Sequence, residues 1–263
     1  MKTSTPGAAA ATPGWKKKAP FLRWSLIRML LTMKRQLLVH WQAGDGREEK
    51  LARTVLATAR PGDLTAAIGA IDRFAYDEAF LINVGDEKGE ILDGAVRRAR
   101  PQRILELGTY CGYSALRMAR AAPDARIVSI ELNPANADIA RRICAHAGVG
   151  GRVTVVVGTL GDGGATRAAL RDRHGFGAAS VDFVFVDHAK DAYLPDLRLI
   201  EAEGWLHPGS VVVADNVKFP GAPAYRAYMK ESEGRSWRST EHKTHAEYQT
   251  LIRDLVLESV RLI

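Results

Sequence analysis

The chain has 263 residues, 46% hydrophobic and 25% charged, the balance of a folded protein of one α/β domain plus an extension. Two cysteines rule out a disulfide framework and point to a reducing, cytoplasmic setting. The net charge of +7 resides entirely in residues 1–50, and residues 51–263 carry equal numbers of cations and anions, which argues against a nucleic-acid partner.

Residues 1–20, rich in Ala, Thr, Pro and Gly with Lys16, Lys17 and Lys18, are expected to be disordered. Between Phe21 and Trp41, Ser25, Arg28, Thr32, Arg35 and Gln36 form one polar stripe at helical spacing. Four cations interrupt this segment, against a transmembrane span, and no small-residue cleavage site follows it, against a signal peptide. Two readings of the amphipathic helix stay open: peripheral contact with an anionic membrane surface, or packing on the domain or on a second copy. Residues 1–43 are thus read as a basic extension and 44–263 as the catalytic domain.

Helices are expected over Arg47–Ala59 and Asp63–Phe74, parted by Pro61-Gly62, with a third ending at Arg100 before Pro101. Apolar, β-rich runs follow at Ile104–Leu107, Arg126–Glu131, Arg152–Val157, Val181–Val186 and Ser210–Ala214. Helical stretches near Ser114–Ala121, Ala135–Ala147 and Pro195–Glu203 separate most of them, the alternation of a parallel sheet covered by helices on both faces. Asp254–Ile263 is expected to be an antiparallel strand that closes the sheet.

The first strand runs into Glu106-Leu107-Gly108-Thr109-Tyr110-Cys111-Gly112-Tyr113-Ser114. Gly108 and Gly112 permit a sharp turn and close backbone approach to a ligand beyond the carboxyl ends of the strands. The second strand ends at Glu131, placed to accept hydrogen bonds from ribose hydroxyls. The G-x-x-x-G order differs from the pyrophosphate-binding G-x-G-x-x-G, and Glu106 at the loop's mouth repels phosphate, so a cationic nucleoside without phosphates is expected. Two further strands end in acids, at Asp187 and at Asp215-Asn216. Singly, such residues are often helix caps or turn residues. Together they offer three oxygens and two charges, which suits Mg²⁺ and not zinc. Lys190 lies three residues past Asp187.

ELGTYCGYSALRMAR, NVGDEKGEILD, VDHAKDAYLPD, ADNVKFPGAP and the late AEY resemble catechol O-methyltransferase, in order, over more than 80% of the chain. The resemblance implies a Rossmann-like class I methyltransferase fold: a seven-stranded, mostly parallel sheet with helices on both faces and a reversed last strand. It also implies S-adenosylmethionine and Mg²⁺ as cofactors and a small catechol as substrate. Val84, Glu106, Gly108, Tyr110, Ser114, Glu131 and Asp187 would bind S-adenosylmethionine. Asp187, Asp215 and Asn216 would hold Mg²⁺. Lys190 would be the general base, Glu247 would orient the second hydroxyl, and Pro220 would wall the ring pocket beside Asn216. Phe80, Ile82, Ala189 and Leu160-Gly161 depart from the familiar animal enzymes, which have Trp, Met, Trp and Ser-Gln there; the change at Ala189 opens the wall to bulkier catechols. The competing readings are an O-methyltransferase of a larger phenol, such as a phenylpropanoid thioester, and a non-catalytic S-adenosylmethionine-binding scaffold.

Overall fold

The computed structural model describes residues 45–263. The expected disordered tail, the 21–41 helix and its membrane contact lie outside the described residues. Among the described residues no helix is long and apolar enough to cross a membrane.

Three helices come first: α1 (Arg47–Thr58), α2 (Leu64–Asp77) and α3 (Gly85–Ala99). Asp63 caps α2 by accepting a hydrogen bond from the Ala66 N–H at 2.9 Å, satisfying one of the donors a helix start leaves unpaired. Strands and helices then alternate: β1 (Arg103–Leu107), α4 (Tyr113–Ala121), β2 (Arg126–Glu131), α5 (Pro134–His146), β3 (Val153–Val157), α6 (Ala165–His174), β4 (Val181–Val186), α7 (Tyr193–Ala202) and β5 (Leu206–Ala214). Helix α8 (Pro223–Glu231) and strands β6 (Trp237–His245) and β7 (Arg253–Arg261) complete the fold.

The seven strands form one sheet in the order β3-β2-β1-β4-β5-β7-β6. The first five pair in parallel, and β7 runs antiparallel to both β5 and β6. The sheet is therefore seven-stranded with one reversed strand, as expected for a Rossmann-like class I fold. One expectation is corrected. The 254–263 strand does not close the sheet, because β7 inserts between β5 and β6 and leaves β6 at the edge.

The two-residue period of the strands divides the core. Phe183, Phe185, Val211 and Val213 point to the face covered by α1 to α5, with Leu51, Ile71, Phe74, Leu92 and Ile143. Val184, Val186, Val212 and Ala214 point to the other face, against Leu170, Leu197, Ile200, Tyr225 and Met229 of α6 to α8, with Trp205 and Trp237. Both faces being covered explains the continuous apolar runs Phe183–Val186 of β4 and Val211–Ala214 of β5, and the apolar Ile104, Leu105 and Leu107 of β1. The carboxyl ends of the five parallel strands share one edge of the sheet, and the site lies there.

Candidate functional site

A cavity of about 490 Å³ opens along that edge, in the size range of small-molecule sites. The strand order sets its layout. Residues after β1, β2 and β3 border one part: Gly108, Tyr110, Ser114, Glu131 and Leu160. Residues after β4 and β5 and before β7 border the other: Asp187, Lys190, Asn216, Pro220 and Glu247.

The glycine loop is shaped by close approach. Gly108 has φ +96°, and a Cβ there would lie 2.3 Å from the Asp187 carbonyl oxygen. Only glycine lets the ends of β1 and β4 come this near. Tyr110 also takes a left-handed conformation, φ 47°. Its N–H donates to Glu131 at 2.8 Å and its hydroxyl donates to Glu48 of α1 at 2.9 Å. Glu131 accepts a second backbone bond from the Asn133 N–H at 2.9 Å, so the carboxylate is held in a fixed orientation on the cavity wall. Burial raises the Glu131 pKa against these bonds.

Glu106 lies elsewhere than expected. It is fully buried under the loop rather than at its mouth. Ser114 and Ser129 hydroxyls donate to it, so it reaches the cavity through Ser114. Burial pushes its pKa up to about 7, against the two serine bonds. Val84 is likewise buried, just before α3. The other expected site residues border the cavity, apart from Asp215, which is fully buried directly behind it.

Beyond β4 and β5 the charges are dense. The Lys190 ammonium contacts Asp187 Oδ1 at 3.0 Å and Asn216 Oδ1 at 3.3 Å, so these two oxygens converge on one cation. It also donates to the Tyr193 hydroxyl at 2.6 Å, which in turn donates to the Asp215 carbonyl at 3.0 Å. Asp215 Oδ1 accepts from the Asn216 N–H at 2.6 Å. Asp215 Oδ2 is buried with no aligned hydrogen-bond donor, although the Lys88 ammonium stands 2.8 Å away. Burial raises the Asp215 pKa; Lys88 opposes that rise, and Asp187 and Glu247 add to it. Asn216 directs its amide to Glu247 Oε1 at 2.9 Å and to Asp254 Oδ2 at 2.8 Å. That fixes the amide's orientation and turns Oδ1 toward Lys190. Glu247 has its pKa lowered: burial raises it, but the Lys88 charge and the Asn216 amide outweigh that.

Four contributors escaped the sequence reading: Glu48, Lys88, Tyr193 and Asp254. A signal existed for Lys88, which falls on the buried stripe of α3 with Leu92, Ala95 and Val96. A lysine on a core stripe demands buried partners. Tyr193 and Asp254 carry no such signal, because their partners are set by tertiary contact. His188 stacks on Tyr193 with ring centroids 5.1 Å apart and bonds Asp196 at 2.9 Å, a structural arrangement beside the cavity.

Among the described residues no group of three or more His, Cys, Asp or Glu side chains forms a ready metal cage. The expected donor set counts only two acids and an amide, so this does not bear on it. Asp187 Oδ1 and Asn216 Oδ1 meeting one ammonium, with Asp215 Oδ2 behind them paired to Lys88 but without an aligned hydrogen-bond donor, fit a hard cation.

Comparisons with known proteins agree with this architecture. Residues 70–232 match the family model described as O-methyltransferase. A probable O-methyltransferase of Mycobacterium tuberculosis is 61% identical over 225 residues, 86% of this chain and 96% of that protein. Catechol O-methyltransferase B of Danio rerio is 44% identical, covering 77% of this chain and 74% of its own. The catechol O-methyltransferase of Mus musculus is 38% identical, covering 81% and 78%. Among solved structures, an O-methyltransferase of Streptomyces achromogenes in complex with S-adenosylmethionine superposes with a TM-score of 0.59 at 23% identity, over 92% of this chain and all of that one, a likeness of fold. By sequence and by fold, the chain belongs to the O-methyltransferase family, among its catechol O-methyltransferase-like members, and is an S-adenosylmethionine-dependent O-methyltransferase.

Proposed function

We propose that the protein transfers the methyl group of S-adenosylmethionine to one hydroxyl of a catechol held beside Mg²⁺, with Lys190 as the general base. The observation that carries this reading is that Lys190, Asp187, Asn216 and Glu247 border the same cavity as Gly108, Ser114 and Glu131. A base, an oxygen donor set and a second carboxylate thus face the space beside the nucleoside loop.

Glu131 would hold the ribose, and Ser114, backed by Glu106, the amino-acid end of the cofactor. Lys190 acts as base in its neutral amine form: the acceptor hydroxyl gives its proton to the free electron pair of Nζ, which Tyr193 keeps in place, and the ammonium so formed passes the proton to solvent after transfer. The resulting oxygen attacks the methyl carbon as the carbon–sulfur bond breaks, leaving a neutral thioether and a methyl ether. Alignment of oxygen, carbon and sulfur is the chief contribution of the walls. Asp187, Asp215 and Asn216 would hold Mg²⁺, which supplies charge stabilisation that lowers a phenol's pKa from near 10. Glu247 orients the second hydroxyl, and Phe219 and Pro220 flank the ring.

The test is methyl transfer from labelled S-adenosylmethionine to a simple catechol, with Mg²⁺ and with excess EDTA. Product that requires Mg²⁺ supports the reading. No product with any catechol, with the cofactor still bound, refutes it. A larger acceptor is the second reading, favoured by Ala189, a small residue on the cavity wall.

A further inference from the structure

Lys88 is 1% exposed, on the face of α3 that packs against the sheet. Its ammonium stands 2.8 Å from Asp215 Oδ2, 2.5 Å from Glu247 Oε1 and 3.3 Å from Asp254 Oδ2. A buried ammonium with three carboxylates within 3.3 Å is a paired charge, not an isolated one. Gly85, one turn earlier at φ +71°, lets the Glu247 backbone close over the helix, since a Cβ there would be 3.3 Å from Glu247 Cα.

The charge count shows what this lysine does. Asp187, Asp215, Glu247 and Asp254 meet at the end of β4, β5 and the start of β7. Lys190 pairs with Asp187, and Lys88 serves the other three. Without Lys88, a divalent cation would enter beside two carboxylates, Glu247 and Asp254, that have no cation of their own except Lys88 among the described ion pairs. With Lys88 present, the incoming cation shares Asp215 with a charge already in place.

We propose that Lys88 is the resident counter-ion of the acceptor site, fixed under Asp215, Glu247 and Asp254, and that it sets a weak, exchangeable affinity for the divalent cation. The inference rests on the Mg²⁺ reading above. Two cations sharing one carboxylate repel across a few ångströms; at an effective dielectric near 20 this changes affinity by at least about tenfold.

The test uses the full chain and its K88M and K88R variants, with Mg²⁺ titrated calorimetrically and S-adenosylmethionine affinity measured alongside. K88M is expected to bind Mg²⁺ at least about tenfold more tightly than the unsubstituted protein, because a repelling charge has gone. K88R keeps the charge and is expected to stay within about threefold. S-adenosylmethionine affinity should be equal in all three, which shows the nucleoside side intact. Unchanged or weaker Mg²⁺ binding by a folded K88M overturns the proposal. If K88M folds with Mg²⁺ but not with EDTA, the counter-ion role is supported, since the divalent cation then replaces the lost charge. If K88M folds in neither, K88R decides: affinity held supports the proposal, and affinity moved by more than about tenfold overturns it. Absence of Mg²⁺ binding by the unsubstituted protein would instead overturn the metal reading itself, and this inference with it.

Discussion

Tyr193→Phe removes one oxygen that links Lys190, the proposed base, to the sheet. The hydroxyl accepts from Lys190 Nζ at 2.6 Å and donates to the Asp215 carbonyl at 3.0 Å, and Tyr193 is fully buried. Two costs follow. The Asp215 carbonyl loses its donor in a dry environment, about 1–2 kcal/mol for a neutral hydrogen bond left unmade. Lys190, which is partly exposed, recovers much of its loss from water, so that bond adds little to stability. For a domain of this size the sum corresponds to a fall in Tm of about 2–8 °C. The larger effect is on rate. With one of its three anchors gone, Nζ samples positions away from the acceptor oxygen, and misplacement of a reacting group by about 1 Å costs on the order of 100-fold. We expect kcat to fall by about 10- to 100-fold while S-adenosylmethionine affinity is unchanged, because Tyr193 does not border the cavity. The assays are initial rates with a catechol and Mg²⁺, calorimetric cofactor binding, and thermal unfolding. A lower Tm with unchanged kcat would refute the positioning argument and leave Tyr193 a packing residue.

Lys190→Ala should lower kcat by at least about 100-fold with cofactor affinity intact, since general-base contributions are of that order; unchanged turnover removes Lys190 as the base. Gly108→Ala places a Cβ 2.3 Å from a backbone oxygen at φ +96°, so the ends of β1 and β4 must part. We expect about 2–4 kcal/mol of destabilisation and at least tenfold weaker cofactor binding, read by urea unfolding and calorimetry. Glu106 has its pKa raised to about 7 in the folded chain, so from the unfolded value near 4.5 up to pH 7 the folded state holds the extra proton. Stability therefore falls as pH rises through that window, by about 3 kcal/mol, and levels off above it. Glu106→Gln should flatten this slope; equal slopes in urea titrations at pH 5 and 7.5 would contradict the assignment. Ala189→Trp should shift preference from bulky to small catechols by about tenfold or more in relative kcat/KM, the range a reshaped apolar wall supplies. An unchanged preference would show that residue 189 does not limit acceptor size.

Much of the fold was legible because burial on both faces leaves a trace. Ile104–Leu107, apolar except for the buried Glu106, and Val181–Val186, apolar except for Asp182, stand out from the flanking sequence, and their ends differ from the expected strands by at most one residue. Trp237–His245 left no such trace. It is the edge strand, with polar side chains facing solvent along most of its length. Helix α6 was missed for a similar reason: only Thr166 and Leu170 of Ala165–His174 are buried, so no apolar stripe marks it. The site was legible where function places polar residues at strand ends. Asp187, Asp215 and Asn216 follow apolar runs directly, and Gly108 and Glu131 follow two others.

The amino-acid order by itself determined the βα alternation, the edge of the sheet that carries the site and the residue types available there. Those depend on local period and on which residues end each strand. Only the tertiary structure decided that β7 enters between β5 and β6, that Glu106 lies beneath the loop, and that Lys88 meets Asp254 across 166 positions of sequence. These follow from which surfaces pack together, and a buried charge acquires its partners only when distant segments close around it.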